Sequence, residues 1–215
     1  MSSKNTYNTE QEAFWAGEFG TEYIGRNDSA DLLASNLNLF SKALKQAGRI
    51  SSCLELGANI GMNLKALQLL YPGIHLKAAE INPDASKRLA SLIGGNNVFE
   101  GSIVEYPVAE RVELSLVKGV LIHIAPDMLP AVYEKLYQAS SRFILVCEYY
   151  NPTPVAISYR GHIDRLFKRD FAGEMLEMYS DLKLIEYGFT YHRDPAFPQD
   201  DISWFLMQKA WQEEY

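Results

Sequence analysis

The chain has 215 residues, 47% of them hydrophobic and 22% charged, enough to bury one sizeable core of ordinary composition. A formal net charge of −7 argues against a general affinity for DNA or RNA, whose backbones need a cationic face. Two cysteines without CxxC spacing, and four scattered histidines, argue against a structural zinc site.

The first residues, "MSSKNTYNTEQEAFW", are polar and carry no apolar leader core, and no stretch reaches the ~18 apolar residues of a membrane span. The expectation is a cytoplasmic protein without membrane contact. "EQEAFWAGEFGTEYIGRN" carries four aromatics and three glycines, which suggests a short helix and then a glycine-punctuated loop. In "DSADLLASNLNLFSKALKQAG", Leu33, Leu37, Phe40 and Leu44 recur at amphipathic-helix spacing, with Asp28 or Ser29 as cap and Gly48 as stop.

From residue 50 strands and helices alternate. "SCLELG" reads as a buried strand, "MNLKALQLLYPG" as a helix, "HLKAAEI" as a strand and "PDASKRLASLIGG" as a helix started by Asn82-Pro83. "NVFEGS" is a short strand, "VELSLVKGVLIHI" a longer one, "PDMLPAVYEKLYQAS" a helix and "RFILVCEYY" a fully apolar strand. Cys53 and Cys147 lie in such strands and are expected as free, buried thiols. Strands of this kind between helices indicate a parallel sheet covered on both faces. The last 30 or so residues instead hold two strand-like runs around a polar, proline-bearing loop, hence a terminal antiparallel hairpin. No repeat or linker appears, so residues 1–215 form one domain: 1–48 a helical cap or lid, 49–215 the core.

In such sheets ligands bind beyond the C-terminal strand ends, beside the first strand. "LELGANIGMN" (54–63) occupies that place. Gly57 allows a sharp turn and close ligand approach, Asn59 tolerates a left-handed backbone, and Gly61 permits tight packing of helix and strand. Glu80, 19 residues beyond Gly61, can accept hydrogen bonds from both ribose hydroxyls. The pattern G-x-N-x-G, with Met62 in place of the third glycine, departs from dinucleotide loops. An acid at Glu55 would repel a pyrophosphate but suit a ligand with ammonium and sulfonium groups, namely S-adenosylmethionine.

Leu54 to Gly61, Glu80 and "VLIHIAP" resemble the successive motifs of class I S-adenosylmethionine-dependent methyltransferases. The resemblance implies a Rossmann-like α/β fold, with a mostly parallel seven-stranded sheet of order 3-2-1-4-5-7-6 and extra N-terminal helices. More narrowly, "FWAGEFGTEYIGRN", "ELGANIGMNL", "GVLIHIAPDMLP" and "YRGHIDRLFKRDFAGEM" are similar to the pseudaminic acid biosynthesis-associated methylases. Carried over, Gly57, Asn59 and Gly61 would line the methionine moiety, Glu80 with Ile81 would hold the ribose, and Glu55 would sit near the cationic end. Ser102, flanked by Ile103, stands where many members place an adenine-binding Asp. The stretch from Lys118 to His123 would pass under the transferring methyl.

His123 is the candidate general base, its alternative being a backbone or packing role. Glu148, Tyr149, Tyr150 and Asn151 end the fifth strand. The following connection gathers Tyr159, Arg160, His162, Arg165, Lys168 and Arg169. Tyr149, Tyr150, Tyr159, Arg160, Lys168 and Arg169 are the acceptor-binding candidates. Arginines suit a carboxylate or phosphate acceptor such as a sugar acid or activated sugar, unless Asp164 and Asp170 pair them locally. Trp15, Phe19 or Tyr23 would fold over the cofactor as a lid, or serve as core. The expected activity is methylation of a small metabolite, most simply at oxygen, by a monomer or homodimer; the alternatives are a non-catalytic nucleotide-binding partner and a protein methylase.

Overall fold

The computed structural model describes residue 7 and residues 9–25, 28–159 and 162–210. The N-terminal segment forms two short helices, α1 (Glu10–Ala16) and α2 (Glu18–Ile24), where one helix and a loop were expected. Gly17 breaks them apart in extended conformation. The Asn82 side-chain amide donates to the carbonyls of Trp15 (3.2 Å) and Gly17 (3.3 Å) and to Thr21 Oγ1 (3.2 Å). It thereby takes up carbonyls that a helix end leaves without partners. Helix α3 (Ala30–Ala43) is capped by Ser29, which accepts from the Leu32 amide at 3.1 Å.

Then follow β1 (Ser52–Leu56), α4 (Met62–Leu70), β2 (His75–Glu80), α5 (Pro83–Ile93), β3 (Val98–Glu100), β4 (Val112–Lys118), α6 (Leu129–Ala139) and β5 (Ser140–Glu148). After β6 (Val155–Tyr159), β7 (His162–Lys168) and α7 (Phe171–Met178), the chain ends its sheet with β8 (Leu182–Phe189) and β9 (Ser203–Lys209). The main sheet has the order β3-β2-β1-β4-β5-β9-β8. Strands β1 to β5 are parallel, and β9 runs antiparallel to both β5 and β8. This is the expected order with its terminal hairpin, the last two strands being renumbered because β6 and β7 intervene.

Each face of the sheet carries its own apolar layer. Leu39, Phe40, Leu64 and Leu67 of α3 and α4 pack with Cys53, Leu114 and Phe143. Val132, Leu136, Phe171 and Met175 of α6 and α7 pack with Leu54, Val117, Ile144 and Val146. Strands covered on both sides in this way are apolar at nearly every position. Both cysteines are free and buried, as expected.

Two expectations are corrected. Strand β4 ends at Lys118 and does not continue to residue 124: Gly119 turns with φ 67°, and Leu121–His123 form a 3-10 turn. Glu148 enforces this turn, accepting from the amides of Val120 (2.7 Å) and Leu121 (2.8 Å). The connection after β5, read only as a source of acceptor-binding side chains with no strands of its own, forms over residues 155–168 the separate antiparallel pair β6–β7, with Val155 opposite Lys168. Among the described residues no helix is long and apolar enough to cross a membrane.

Candidate active site

A cavity of about 710 Å³ opens above the C-terminal ends of β1, β2, β4 and β5, within the range usual for small-ligand sites. The loop between β1 and α4 forms one wall. Gly57 has φ 77°, and a Cβ there would lie 2.6 Å from Val120 Cγ2. Glycine thus serves both the backbone conformation and the close approach of the loop to the turn after β4. Asn59, at φ 50°, is the one non-glycine residue with positive φ among the described residues. Its amide donates to Glu80 Oε2 at 2.7 Å, and its side-chain oxygen accepts from the Ile60 amide at 2.7 Å.

Glu80 Oε1 accepts from the Asn82 amide at 2.8 Å. Burial raises the Glu80 pKa, and the amides of Asn82, Asn59 and Ile81 pull it back. A carboxylate has about four acceptor sites, so these bonds fix its orientation and leave capacity for a ligand. Gly57, Asn59, Glu80, Ile81, Ser102 and Ile103 all face the cavity. Gly61 does not: it starts α4 with φ 85°, and its missing side chain makes room for Leu89 and Leu92 of α5, so the tight packing is between helices.

Glu55 also lies outside the cavity. It is fully buried, with Oε1 accepting from Asn63 Nδ2 at 2.6 Å and Oε2 without a partner. Desolvation pushes its pKa to about 8, outweighing the Asn63 bond and the Lys118 charge. Burial thus disfavours the anion that the sequence reading assumed at this position. Its contact with the cavity runs through Asn63, which lines it and whose amide Glu55 orients.

Trp15 and Tyr23 close the cavity from the N-terminal helices. Trp15 packs on His123 with ring centroids 4.7 Å apart and edge-on to Tyr23 at 5.3 Å. His123 lines the cavity from the 3-10 turn, and Lys118 and Tyr149 from the ends of β4 and just beyond β5. Of the other acceptor candidates, Tyr150, Lys168 and Arg169 are not brought together there. Tyr150 is exposed and leans on Phe205, at 5.9 Å between ring centroids. Lys168 lies 4.9 Å over the Tyr149 ring without lining the cavity. Arg169 pairs with Glu174 at 2.5 Å in a separate small cleft, and Glu174 also accepts from Tyr133 at 2.6 Å. Local pairing thus neutralises Arg169, and the anion-binding cluster is not assembled from it. Tyr159 ends β6, and Arg160 lies outside the described residues.

Several wall residues escaped the sequence reading. Glu12 reaches in from α1 and is hydrogen-bonded by the Ser102 hydroxyl. Asn36 of α3 accepts from Gln199 Nε2 at 2.9 Å, a buried bond that fastens the β8–β9 loop over the cavity. That loop contributes His192, Gln199 and Asp200. Neither the Glu12–Ser102 nor the Asn36–Gln199 tether has a local signature in the sequence.

No protein-family model matches the chain, and no curated protein matches it significantly. Its fold, however, is shared with solved methyltransferases. The 1,6-didemethyltoxoflavin-N1-methyltransferase of Burkholderia thailandensis, bound to 1,6-didemethyltoxoflavin and S-adenosylhomocysteine, superposes with TM-score 0.71 and 15% identity over 98% of this chain and 93% of that one. Magnesium protoporphyrin IX methyltransferase of Synechocystis PCC 6803, bound to S-adenosylmethionine, gives 0.69 and 10% over 96% and 100%. DesVI of Streptomyces venezuelae gives 0.62 and 10% over 95% and 100%. The chain therefore has the Rossmann-like fold of these enzymes.

Proposed function

We propose that the protein is an S-adenosylmethionine-dependent methyltransferase acting on a small molecule. The observation that carries this reading is the Asn59–Glu80 bond. It holds a left-handed loop and a buried carboxylate together at the mouth of a cavity, in a fold shared with methyltransferases that bind this cofactor. Glu80 would hold the ribose, Ser102 and Ile103 the adenine side, and Gly57 with Asn59 the methionine moiety. When bound, the cofactor supplies an electrophilic methyl on a sulfonium. The chain's own part is to align the acceptor, exclude water through Trp15 and Tyr23, and offer His123 where an acceptor proton must leave. The narrower kinship with pseudaminic acid biosynthesis-associated methylases is proposed on the "FWAGEFGTEYIGRN" and "LFKRDFAGEM" blocks; the first overlaps the α1–α2 cover of the cavity.

Calorimetric titration with S-adenosylhomocysteine tests the cofactor, and its release from S-adenosylmethionine on adding candidate acceptors tests the enzyme. Micromolar binding and acceptor-dependent release are expected. Absence of binding overturns the proposal, and binding without release across a broad acceptor panel turns it into a non-catalytic cofactor-binding protein.

A further inference from the structure

Three carboxylates line the cavity: Glu12, Glu80 and Asp200. Glu80 belongs to the loop wall and Glu12 to Ser102, both on the side assigned above to the cofactor. Asp200 stands on the opposite side, at the end of the β8–β9 loop, and among the described residues Lys118 is the one lysine or arginine lining the cavity.

The position of Asp200 is built into the fold. Its carbonyl accepts from Thr190 Oγ1 at 2.8 Å and from the Ile202 amide at 2.7 Å. The neighbouring Gln199 is anchored on Asn36. Tyr23 and Tyr149 line the cavity together with Asp200, and burial, with the Asp200 charge next in effect, pushes the Tyr149 hydroxyl pKa up. Packed rings thus run from His123 through Trp15 to Tyr23, and the Tyr149 ring and the Asp200 carboxylate line the same cavity.

A carboxylate set among aromatic rings is the chemistry that selects a cation: the acid supplies the counter-charge, and the ring faces attract an ammonium. The Tyr149 ring already does so within the protein, because the Lys168 ammonium sits 4.9 Å from its centroid. That lysine lies outside the cavity lining, on the strand β7 side of the ring. We propose that this wall recognises an acceptor bearing a protonated amine, with Asp200 as its counter-ion and the Tyr149 and Trp15 rings beside it. The proposal rests on the cofactor reading only for assigning the other wall to the methyl donor.

A matched trio tests it: 2-phenylethylamine, 2-phenylethanol and phenylacetate, titrated by calorimetry at pH 7 into the full chain with and without S-adenosylhomocysteine. The amine is charged at that pH, like a lysine side chain. Expected is binding of the amine at least about tenfold tighter than either relative. Asp200→Asn should bring the three within about twofold while leaving S-adenosylhomocysteine affinity intact, and Asp200→Glu should restore part of the preference. Equal or tighter binding of phenylacetate, no discrimination at all, or a preference that survives Asp200→Asn overturns the proposal. Failure of S-adenosylhomocysteine to bind strikes the cofactor reading instead, and the trio without cofactor still decides this one.

Discussion

The two walls of the cavity are built differently. The wall proposed for the donor comes from short stretches at strand ends, 57–63, 80–81 and 102–103, with Asn59 held on Glu80, Glu80 on the Asn82 amide and Asn63 on the Glu55 side chain. The acceptor wall is assembled from Trp15, Asn36, His123, Tyr149 and Gln199–Asp200, each on a different element and held by long-range side-chain contacts. The first is a local motif presented by strand ends. The second exists only once the whole chain has packed. Such a division lets one scaffold keep its donor while its acceptor changes.

The largest break in this contrast should come from Gly57→Ala. It adds left-handed strain and drives a methyl group into Val120, at a combined cost of about 3 kcal/mol. Chemical denaturation should show the lower midpoint, and titration the loss of S-adenosylhomocysteine binding, because the loop and the turn behind it must separate. Asn36→Ala acts on the other wall. It leaves the buried Gln199 amide without its acceptor, costing about 1–3 kcal/mol in denaturation. It should weaken acceptor binding more than S-adenosylhomocysteine binding; an equal loss on both would show that the walls are not separable.

Beneath both walls lie Glu55 and Glu148, raised by burial to about 8 and about 7. A carboxyl that is harder to ionise in the folded chain stabilises the fold fully at low pH, and this stability drains as pH rises through the folded value. Denaturation midpoints should therefore fall between about pH 5 and pH 8. Glu55→Gln, which never ionises, should flatten the upper part of the fall. Lys209, held down to about 8, acts in the opposite sense only above that window. The smallest effect is expected from Arg169→Met. Its charge is spent on Glu174 outside the cavity, so S-adenosylhomocysteine affinity should stay within about twofold.

The difference between the walls also explains what was legible in the sequence. Strand alternation, the Gly57–Gly61 loop and Glu80 follow from short-range periodicity and spacing; the sheet order followed from the family resemblance that those motifs carry, and it is the order observed. Glu55 was visible as a residue, but its charge state was not. Ionisation depends on solvent access, and burial under Asn63 and Lys118 is a property of packing. The basic run near 160–169 looked like an anion site because composition does not reveal pairing; Arg169 found Glu174 five residues on. The end of β4 was misjudged because "GVLIHI" is apolar enough for a strand. Glu148, on another strand, takes the amides that would have continued it. Asp200 had no local signature of any kind.

The Asn36–Gln199 bond closes a loop of 163 residues, whereas Asn59 and Glu80 are 21 apart. By loop-closure entropy alone the longer link costs about 1.8 kcal/mol more to form. During synthesis the wall proposed for the donor has its residues by position 103, while the wall proposed for the acceptor must wait for position 200.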